Sequence, residues 1–313
     1  MTLPSYIWHL RGKNQEGPTV VVLGGTHGDE LTGLEVVRKL LARFDLLKKP
    51  AGIFDRDDIV GNLYVGFGNP EAILRCTRSA SDGKNTDLNR AFTPDELNSA
   101  PQSDDRADLR RARELAPLLA SANFLFDIHG TSSPSEPFVC FGNDTPARRN
   151  IYRLIPVRYI LTVQHHIYIE GELGTTDEHV ARHGGMGLCY EAGQAREVEK
   201  MDAILGNTVD LLHAVHAVNP AFMERFAATP RTPAVTTQEV FTIVEKAVAK
   251  SDIFTYEPGM DHGWKMVEPN TLMGHFDDGT EERTRRGGML LFAQAPYRIK
   301  KGEGFYYLAE KIG

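Results

Sequence analysis

A short apolar run, Val20 to Leu23, leads directly into the glycine-rich segment GGTHGDELTG (residues 24–33). Consecutive apolar residues bounded by turn residues are typical of a strand that is buried on both faces. The segment places His27 and Glu30 three residues apart where this strand ends. An imidazole and a carboxylate at one strand end can bind the same Zn²⁺. The pattern therefore predicts a buried strand that leads into a metal-binding turn.

Strand-like and helical patterns alternate through the first two thirds of the chain. Further strands are predicted at residues 59–67, 123–128 and 187–190, and helices at residues 30–44, 109–120 and 198–218. Pro117 is expected to kink the second helix or to end it early. This alternation favours an α/β fold with a mainly parallel sheet.

The pattern changes after Asn219 and Pro220. Pro230 and Pro233 flank a predicted linker, and the segment beyond it is strand-like with recurrent glycine turns. We therefore expect one domain over residues 1–224 and a smaller β-rich domain over residues 225–313.

The composition restricts the class of protein. Hydrophobic residues make up 41% of the chain and charged residues 25%, as in soluble globular proteins. A net charge of −7 without a basic run argues against nucleic acid or a membrane as the partner. Three widely spaced cysteines, the absence of a signal-peptide pattern and the absence of an 18-residue apolar segment together predict a soluble cytoplasmic protein.

A second histidine, His129, follows the strand predicted at residues 123–128. Open α/β sheets bind ligands outside the carboxyl ends of their strands, so His129 is expected to lie near His27 and Glu30. Two histidines and one glutamate leave a fourth zinc position open, which is the catalytic pattern. The alternative for each residue alone is a helix-start coincidence or a core histidine. The occurrence of all three at strand ends favours a catalytic site.

Several further polar residues have the chemistry for hydrolysis. Glu191 follows a predicted strand and could accept a proton from water and return it to a leaving amine, or could cap the next helix instead. Asp127 shares a strand face with His129 and is expected to support it rather than to catalyse. Asn89 and Arg90 could bind a carboxylate, although a helix start with a surface arginine is the alternative.

An arginine is also expected to polarise the scissile carbonyl. Arg78 is the candidate for this role, and Arg75 and Lys84 are its competitors.

Six motifs occur in one order along residues 18–194: GGTHGDELTG, NPEAILRCTR, DLNRAF, RRARELAPLL, FLFDIHGTSS and CYEAGQ. Together they resemble the aspartoacylase and succinylglutamate desuccinylase family of zinc amidohydrolases, and the aspartoacylase branch more closely. This family is related in fold to the zinc carboxypeptidases. A weaker likeness continues through EVFTIVEK and APYRIKKGEGF. The resemblance implies a mainly parallel or mixed sheet flanked by helices, with a smaller β-rich C-terminal domain that contributes to the substrate pocket.

The resemblance also implies roles for individual residues. His27, Glu30 and His129 would bind one Zn²⁺ per chain. Glu191 would act as general base and then as general acid, and Arg78 would polarise the carbonyl group.

Substrate binding is implied for a second set of residues. Asn89 and Arg90 would hold the α-carboxylate of the substrate. Tyr297 would reach the site from the C-terminal domain, with Tyr306 as the alternative.

Two departures from the family pattern concern the substrate. The eight residues between Arg78 and Asp87 (79–86) form a longer connection than in aspartoacylases and would alter one wall of the pocket. The aspartoacylase arginine that binds the side-chain carboxylate falls at Asp177, and Arg182, the only arginine nearby, is the remaining candidate for substrate binding there. The loss of this arginine points to a neutral or aromatic acyl-amino acid.

The expected activity is zinc-dependent cleavage of the amide bond of a small N-acyl amino acid. The alternatives are a zinc carboxypeptidase acting on small peptides and a non-catalytic metal-binding module. These sequence features allow a homo-oligomer.

Overall fold

The computed structural model describes residues 2–14, 16–43, 57–81, 87–99, 106–142, 145–162, 174–224 and 226–312. The strands are β1 Ile7–Arg11, β2 Thr19–Gly24, β3 Asn62–Phe67, β4 Phe124–Thr131, β5 Phe138–Phe141, β6 Tyr159–Thr162, β7 Met186–Gln194, β8 Glu239–Val248, β9 Phe254–Tyr256, β10 Lys265–Val267, β11 Leu272–Phe276, β12 Glu281–Arg283, β13 Gly288–Leu291 and β14 Gly304–Lys311. The α-helices are α1 Leu31–Arg43, α2 Pro70–Arg75, α3 Pro94–Asn98, α4 Ala107–Ala120, α5 Pro146–Tyr152, α6 Thr176–Arg182, α7 Met201–Ala214 and α8 Pro220–Glu224. Short 3-10 turns cover Leu88–Arg90, Val198–Lys200 and Pro296–Arg298.

A mixed sheet of eleven strands runs through the described residues in the order β1-β3-β2-β4-β7-β5-β6-β8-β14-β13-β10. Strands β3, β2, β4 and β7 are mutually parallel, as are β5, β6 and β8, and the remaining neighbours are antiparallel. The predicted α/β fold with a mixed sheet flanked by helices is confirmed.

The C-terminal strands extend this same sheet. Strand β8 pairs in parallel with β6, and β14, β13 and β10 follow it. A separate three-stranded antiparallel sheet is formed by β12, β11 and β9. The C-terminal region is therefore β-rich as expected, but its hydrogen bonding to β6 crosses the boundary predicted at residue 225. The division into two domains stays a prediction.

Strand β2 is buried on both faces, as its apolar run predicts. Val20 and Val22 pack into a cluster with α1 and α7. Val21 and Leu23 point to the opposite face and pack against α4. Because alternate side chains of a strand point to opposite faces, a central strand covered by helices on both sides needs an unbroken apolar run.

The early helix end expected at Pro117 is wrong, because α4 continues through this residue to Ala120, whereas the alternative of a kink stays a prediction. A proline inside a helix costs roughly 3 kcal/mol, since it removes a hydrogen bond and crowds the preceding turn. Leu118 and Leu119 lie just beyond it and are fully buried. Burial of a leucine side chain contributes about 1.5–3 kcal/mol, so the two together offset the cost of the proline.

Two predicted strands are longer than expected, and this changes where the site residues lie. Strand β4 runs to Thr131 and β7 to Gln194, so His129 and Glu191 lie within paired strands and are partners in the β4–β7 register. The helix predicted at residues 198–218 is shorter, at Met201–Ala214. The first helix ends at Arg43, and Phe44 lies outside the described residues.

A close backbone approach between α1 and β4 sets the distance between two elements of the site. A Cβ atom added at Gly33 would lie 2.0 Å from the carbonyl oxygen of Ile128, the residue before His129. Gly33 also lies three residues after Glu30. The glycine therefore lets the helix that follows Glu30 lie directly against the strand that carries His129.

Gly33→Ala is expected to lower the free energy of unfolding by about 1–3 kcal/mol, the usual cost of overpacking. At a solvent-exposed helix position the same change would stabilise the protein by about 1 kcal/mol. Urea denaturation of the wild type and the variant measures the difference in the free energy of unfolding. A variant that is more stable than the wild type would contradict this close approach.

No helix in the described part of the chain is both long and apolar enough to cross a membrane.

Candidate metal centre and active site

The three predicted metal ligands lie together in the structure. His27 and Glu30 follow β2, and His129 lies near the end of β4. Strands β2 and β4 are parallel neighbours, so their carboxyl ends meet at the same edge of the sheet. All three side chains are buried, and among the described residues they form a group that could hold a metal ion.

The donor atoms of these residues converge on one point. The Nδ1 atom of His27 is 2.7 Å from Glu30 Oε1, and the Nδ1 atom of His129 is 3.0 Å from Glu30 Oε2. The two Nδ1 atoms are 3.2 Å apart. Tetrahedral zinc with Zn–N bonds of about 2.0–2.1 Å requires a nitrogen separation of roughly 3.3 Å. Two ring nitrogens and one carboxylate at these distances fit a divalent cation.

Each histidine ring is anchored by a carboxylate on its other nitrogen. His27 Nε2 is 3.0 Å from Asp87 Oδ1, and His129 Nε2 lies 3.1 Å from Asp127 Oδ2. A carboxylate in this position orients the ring and leaves the opposite nitrogen for the metal. The sequence analysis expected this role for Asp127 but missed Asp87, although Asp87 begins the DLNR segment.

Asp127 is held as a buried anion. Its carboxylate accepts hydrogen bonds from the hydroxyls of Thr26 (2.8 Å) and Thr176 (2.7 Å). Burial alone would raise the pKa of Asp127, but His129 and the two hydroxyls hold the pKa below its usual value. The group is therefore an ionised acceptor fixed behind His129.

Asp127→Asn is expected to weaken zinc binding by about 10–100-fold, the usual effect of removing a carboxylate behind a ligating histidine. Competition with a chelating dye measures the affinity. Thr26→Ser keeps the hydroxyl and serves as the control. An unchanged zinc affinity in the asparagine variant would show that Asp127 does not orient His129.

Arg78 lies at the edge of the metal cluster. Its guanidinium donates to Asp87 Oδ2 from Nε (3.0 Å) and Nη2 (2.8 Å), and Nη1 is 3.4 Å from Glu30 Oε1. Although burial opposes ionisation, Arg78 and His27 hold the pKa of Asp87 well below its usual range. The competitor Arg75 instead pairs with Glu71 on the surface, and Lys84 lies outside the described residues.

Glu191 offers a carboxylate with one oxygen, Oε2, that has no hydrogen-bond partner among the described residues. It lies within β7 and lines the same cavity as the metal cluster. Its Oε2 atom is buried without a hydrogen-bond partner, and burial raises the pKa of Glu191 to about 7. The next helical turn begins only at Val198, so Glu191 does not cap a helix.

The cavity has a volume of about 130 Å³ and also contains the predicted carboxylate-binding pair. Asn89 and Arg90 both line it. Asn89 Oδ1 accepts a hydrogen bond from the Thr176 amide (2.9 Å), which leaves the side-chain nitrogen as the group that can donate to a ligand.

The C-terminal region forms part of the cavity wall, but through residues that the sequence analysis did not select. Tyr297 is 76% exposed and does not line the cavity. Tyr306 points into the C-terminal core, where its hydroxyl lies 3.4 Å from Glu282. Arg298, which pairs with Asp29, and Tyr307 line the cavity instead. Each is the immediate neighbour of a predicted tyrosine.

Arg182 is not brought to this cavity. It donates a hydrogen bond to the carbonyl of Phe92 and lines a different depression on the protein surface. Asp177, from the first turn of the same helix α6, does line the site.

Comparisons with known proteins show which proteins this chain is similar to. The family model described as the Succinylglutamate desuccinylase/Aspartoacylase catalytic domain matches residues 16–211. An N-acyl-aromatic-L-amino acid amidohydrolase (carboxylate-forming) of Xenopus laevis is 33% identical over 118 residues, which are 36% of this chain and 34% of the relative. An aspartoacylase of Danio rerio is 28% identical over 152 residues, 47% of this chain and 43% of the relative. The matches therefore span less than half the length of these relatives.

Solved structures share the fold over nearly the whole chain. A succinylglutamate desuccinylase/aspartoacylase from Rhodobacter sphaeroides superposes with a TM-score of 0.70 at 20% identity, covering 98% of this chain and 89% of its own. Murine aminoacylase 3 superposes with a TM-score of 0.66 at 20% identity, and the match covers 94% of this chain and 96% of aminoacylase 3.

Proposed function

Because the chain belongs to the succinylglutamate desuccinylase/aspartoacylase family, we propose that it is a zinc-dependent amidohydrolase of N-acyl amino acids. The reaction cleaves the acyl amide and releases a carboxylate and a free amino acid. The observation that carries this proposal is Glu191, a carboxylate with a raised pKa and a buried, unpartnered oxygen beside the three-ligand cluster. Relatives named as aspartoacylase and as N-acyl-aromatic amino acid amidohydrolase support it.

His27, Glu30 and His129 would hold the zinc ion. Despite burial, the two histidines keep the pKa of Glu30 well below its usual range, so this residue presents a carboxylate rather than a carboxylic acid. Bound zinc supplies Lewis acidity, which polarises a carbonyl oxygen and lowers the pKa of water.

Glu191 would move the proton. As general base it accepts a proton from the attacking water, and as general acid it donates that proton to the leaving amine nitrogen. A pKa of about 7 suits both steps, because neither protonation state is strongly favoured near neutral pH.

Arg78 would stabilise the negative charge that develops on the carbonyl oxygen. Asp87 holds its guanidinium in place through two hydrogen bonds, so this donor is oriented before the substrate binds. Asn89 and Arg90 would hold the substrate carboxylate, since a guanidinium and an amide can donate to both carboxylate oxygens.

The walls of the cavity favour a small substrate over a peptide. The cavity has a volume of only about 130 Å³, and part of its wall comes from the C-terminal region, namely from Phe292, Gln294, Arg298 and Tyr307. A carboxypeptidase needs an extended cleft for the preceding residues of its substrate. A purely structural metal site would have four protein ligands and no need of a free carboxylate such as Glu191.

The zinc-loaded protein should be assayed with a panel of N-acetyl, N-succinyl and N-formyl amino acids beside a panel of dipeptides. We expect hydrolysis of at least one acyl-amino acid and none of the dipeptides at a comparable rate. Release of C-terminal residues from the dipeptides alone would identify a carboxypeptidase. No hydrolysis in either panel by fully loaded protein would contradict the proposed function.

A further inference from the structure

One buried carboxylate in the cavity has no part in the proposed chemistry. Asp177 lies in the first turn of α6, lines the cavity and is only 4% exposed. Among the described residues, no lysine, arginine or histidine forms an ion pair with it. The cavity therefore contains a buried acidic group that has no positively charged side chain at contact distance among the described residues.

Two cysteines line the cavity together with Asp177. Cys140 and Cys189 are register partners on β5 and β7, and both line the cavity. Burial is the main cause of the raised pKa of each thiol, and the Asp177 carboxylate contributes to both. Cys189 Sγ lies 4.0 Å from Glu191 Oε1. Asp177 and Glu191 therefore line one cavity together with this pair of thiols.

The same wall adjoins the predicted carboxylate-binding pair. The positive charge of Arg90 acts on the Cys140 thiol and lowers its pKa against the effect of burial. Because Glu191, Arg90 and Asp177 line the same cavity, a substrate with its amide at Glu191 and its α-carboxylate at Arg90 would have its amino-acid side chain within reach of Asp177.

The charges around Asp177 favour a cation on the cavity side. Burial raises the pKa of Asp177 to about 6, and the neighbouring Glu178 carboxylate adds to the rise. The side-chain hydroxyl of Thr175 and the positive charge of Arg148 act in the opposite direction, and Arg148 Nη2 also lies 3.6 Å from Glu178 Oε1. An unpaired carboxylate away from water is costly, and a cationic ligand would remove that cost.

We propose that Asp177 binds a positively charged substrate side chain, so that the enzyme prefers Nα-acyl amino acids with a short aminoalkyl side chain. This inference rests on the proposed function. It replaces our expectation from the sequence, which was a neutral or aromatic substrate side chain because Asp177 stands where aspartoacylases have an arginine. An acidic side chain is disfavoured because it would approach the Asp177 and Glu191 carboxylates together.

Three matched substrates test the proposal with zinc-loaded protein: Nα-acetyl-L-ornithine, Nα-acetyl-L-norvaline and Nα-acetyl-L-glutamate. Norvaline keeps the three side-chain carbons of ornithine without the amine, and glutamate reverses the charge. We expect kcat/KM for the ornithine derivative to exceed both others by about 100-fold, since loss of one partner of a buried charge pair typically has effects of this size.

Asp177→Asn should reduce this preference for ornithine over norvaline to less than about 10-fold, mainly by weakening the ornithine derivative. Asp277→Asn removes an equal charge from an exposed position and should leave the preference unchanged. Calorimetric titration of the wild type with free L-ornithine and L-norvaline provides a readout that does not depend on turnover, and ornithine should bind more tightly.

The outcomes separate the two proposals. Hydrolysis of the norvaline or glutamate derivative as fast as that of the ornithine derivative would overturn the role of Asp177 and leave the amidohydrolase proposal standing. An unchanged preference in folded Asp177→Asn would also overturn it. If the asparagine variant does not fold, the ranking of the three substrates by the wild type still decides. Absence of hydrolysis across the whole acyl-amino acid panel would instead contradict the proposed function.

Discussion

Glu191→Gln is expected to lower kcat/KM for the best N-acyl amino acid by about 10²–10⁴-fold, the usual contribution of a general base. The amide keeps the size of the side chain but cannot accept a proton from water. The three metal ligands are untouched, so zinc should still bind at one ion per chain. Steady-state kinetics and metal analysis of the same sample measure both quantities.

Glu199→Gln is the matched control for this variant, because Glu199 is exposed and lies outside the cavity. Its kinetics should equal those of the wild type. Since Glu191 Oε2 is buried without a partner, an amide there adds unsatisfied donors, and a thermal melt should accompany the assay. A folded, zinc-loaded Glu191→Gln protein with near-normal turnover would rule out the proposed mechanism.

Removal of the metal is expected to reduce activity below about 1% of that of the loaded enzyme, because the proposed reaction depends on a Lewis acid. Added Zn²⁺ should restore activity, whereas Mg²⁺ should not, since Mg²⁺ prefers oxygen ligands and this site offers two nitrogens. Zinc should also stabilise the fold, by about 4 kcal/mol at a free concentration 1,000 times the Kd.

His129→Gln distinguishes zinc bound at the His27–Glu30–His129 cluster from zinc bound elsewhere on the protein. This variant should bind zinc far more weakly than the wild type and lack activity. His262→Gln, at an exposed histidine paired with Asp261, should behave as the wild type. Full activity in dialysed protein with less than a tenth of an ion per chain would show that the His27–Glu30–His129 cluster is not a catalytic metal site.

The local parts of the site could be predicted because they depend on short stretches of chain. His27 and Glu30 share one turn after β2, and the apolar run before them had to be a central strand. His129 was placed correctly because parallel strands end at one edge of the sheet. Asp87 was missed although it begins the DLNRAF motif, because its contact with His27 joins residues sixty positions apart.

The C-terminal residues show what a local pattern cannot decide. Tyr306 and Tyr307 are adjacent on β14, and only the second lines the cavity. Which of two adjacent strand residues faces a site depends on the register of the strand with its neighbours, here β8 and β13. Tyr297 and Arg298 pose the same problem in a 3-10 turn, where neighbouring side chains point in different directions.

By itself the sequence determined the α/β class, the buried central strand and the pairing of an imidazole with a carboxylate in the turn that follows it. These depend on hydrophobic periodicity and on spacing within a few residues. Only the tertiary structure decided that Asp87 anchors His27, that Asp177 rather than Arg182 lines the pocket, and which C-terminal residues line it. Those contacts depend on strand order and register, which are set by pairing between distant segments and leave no local pattern in the chain.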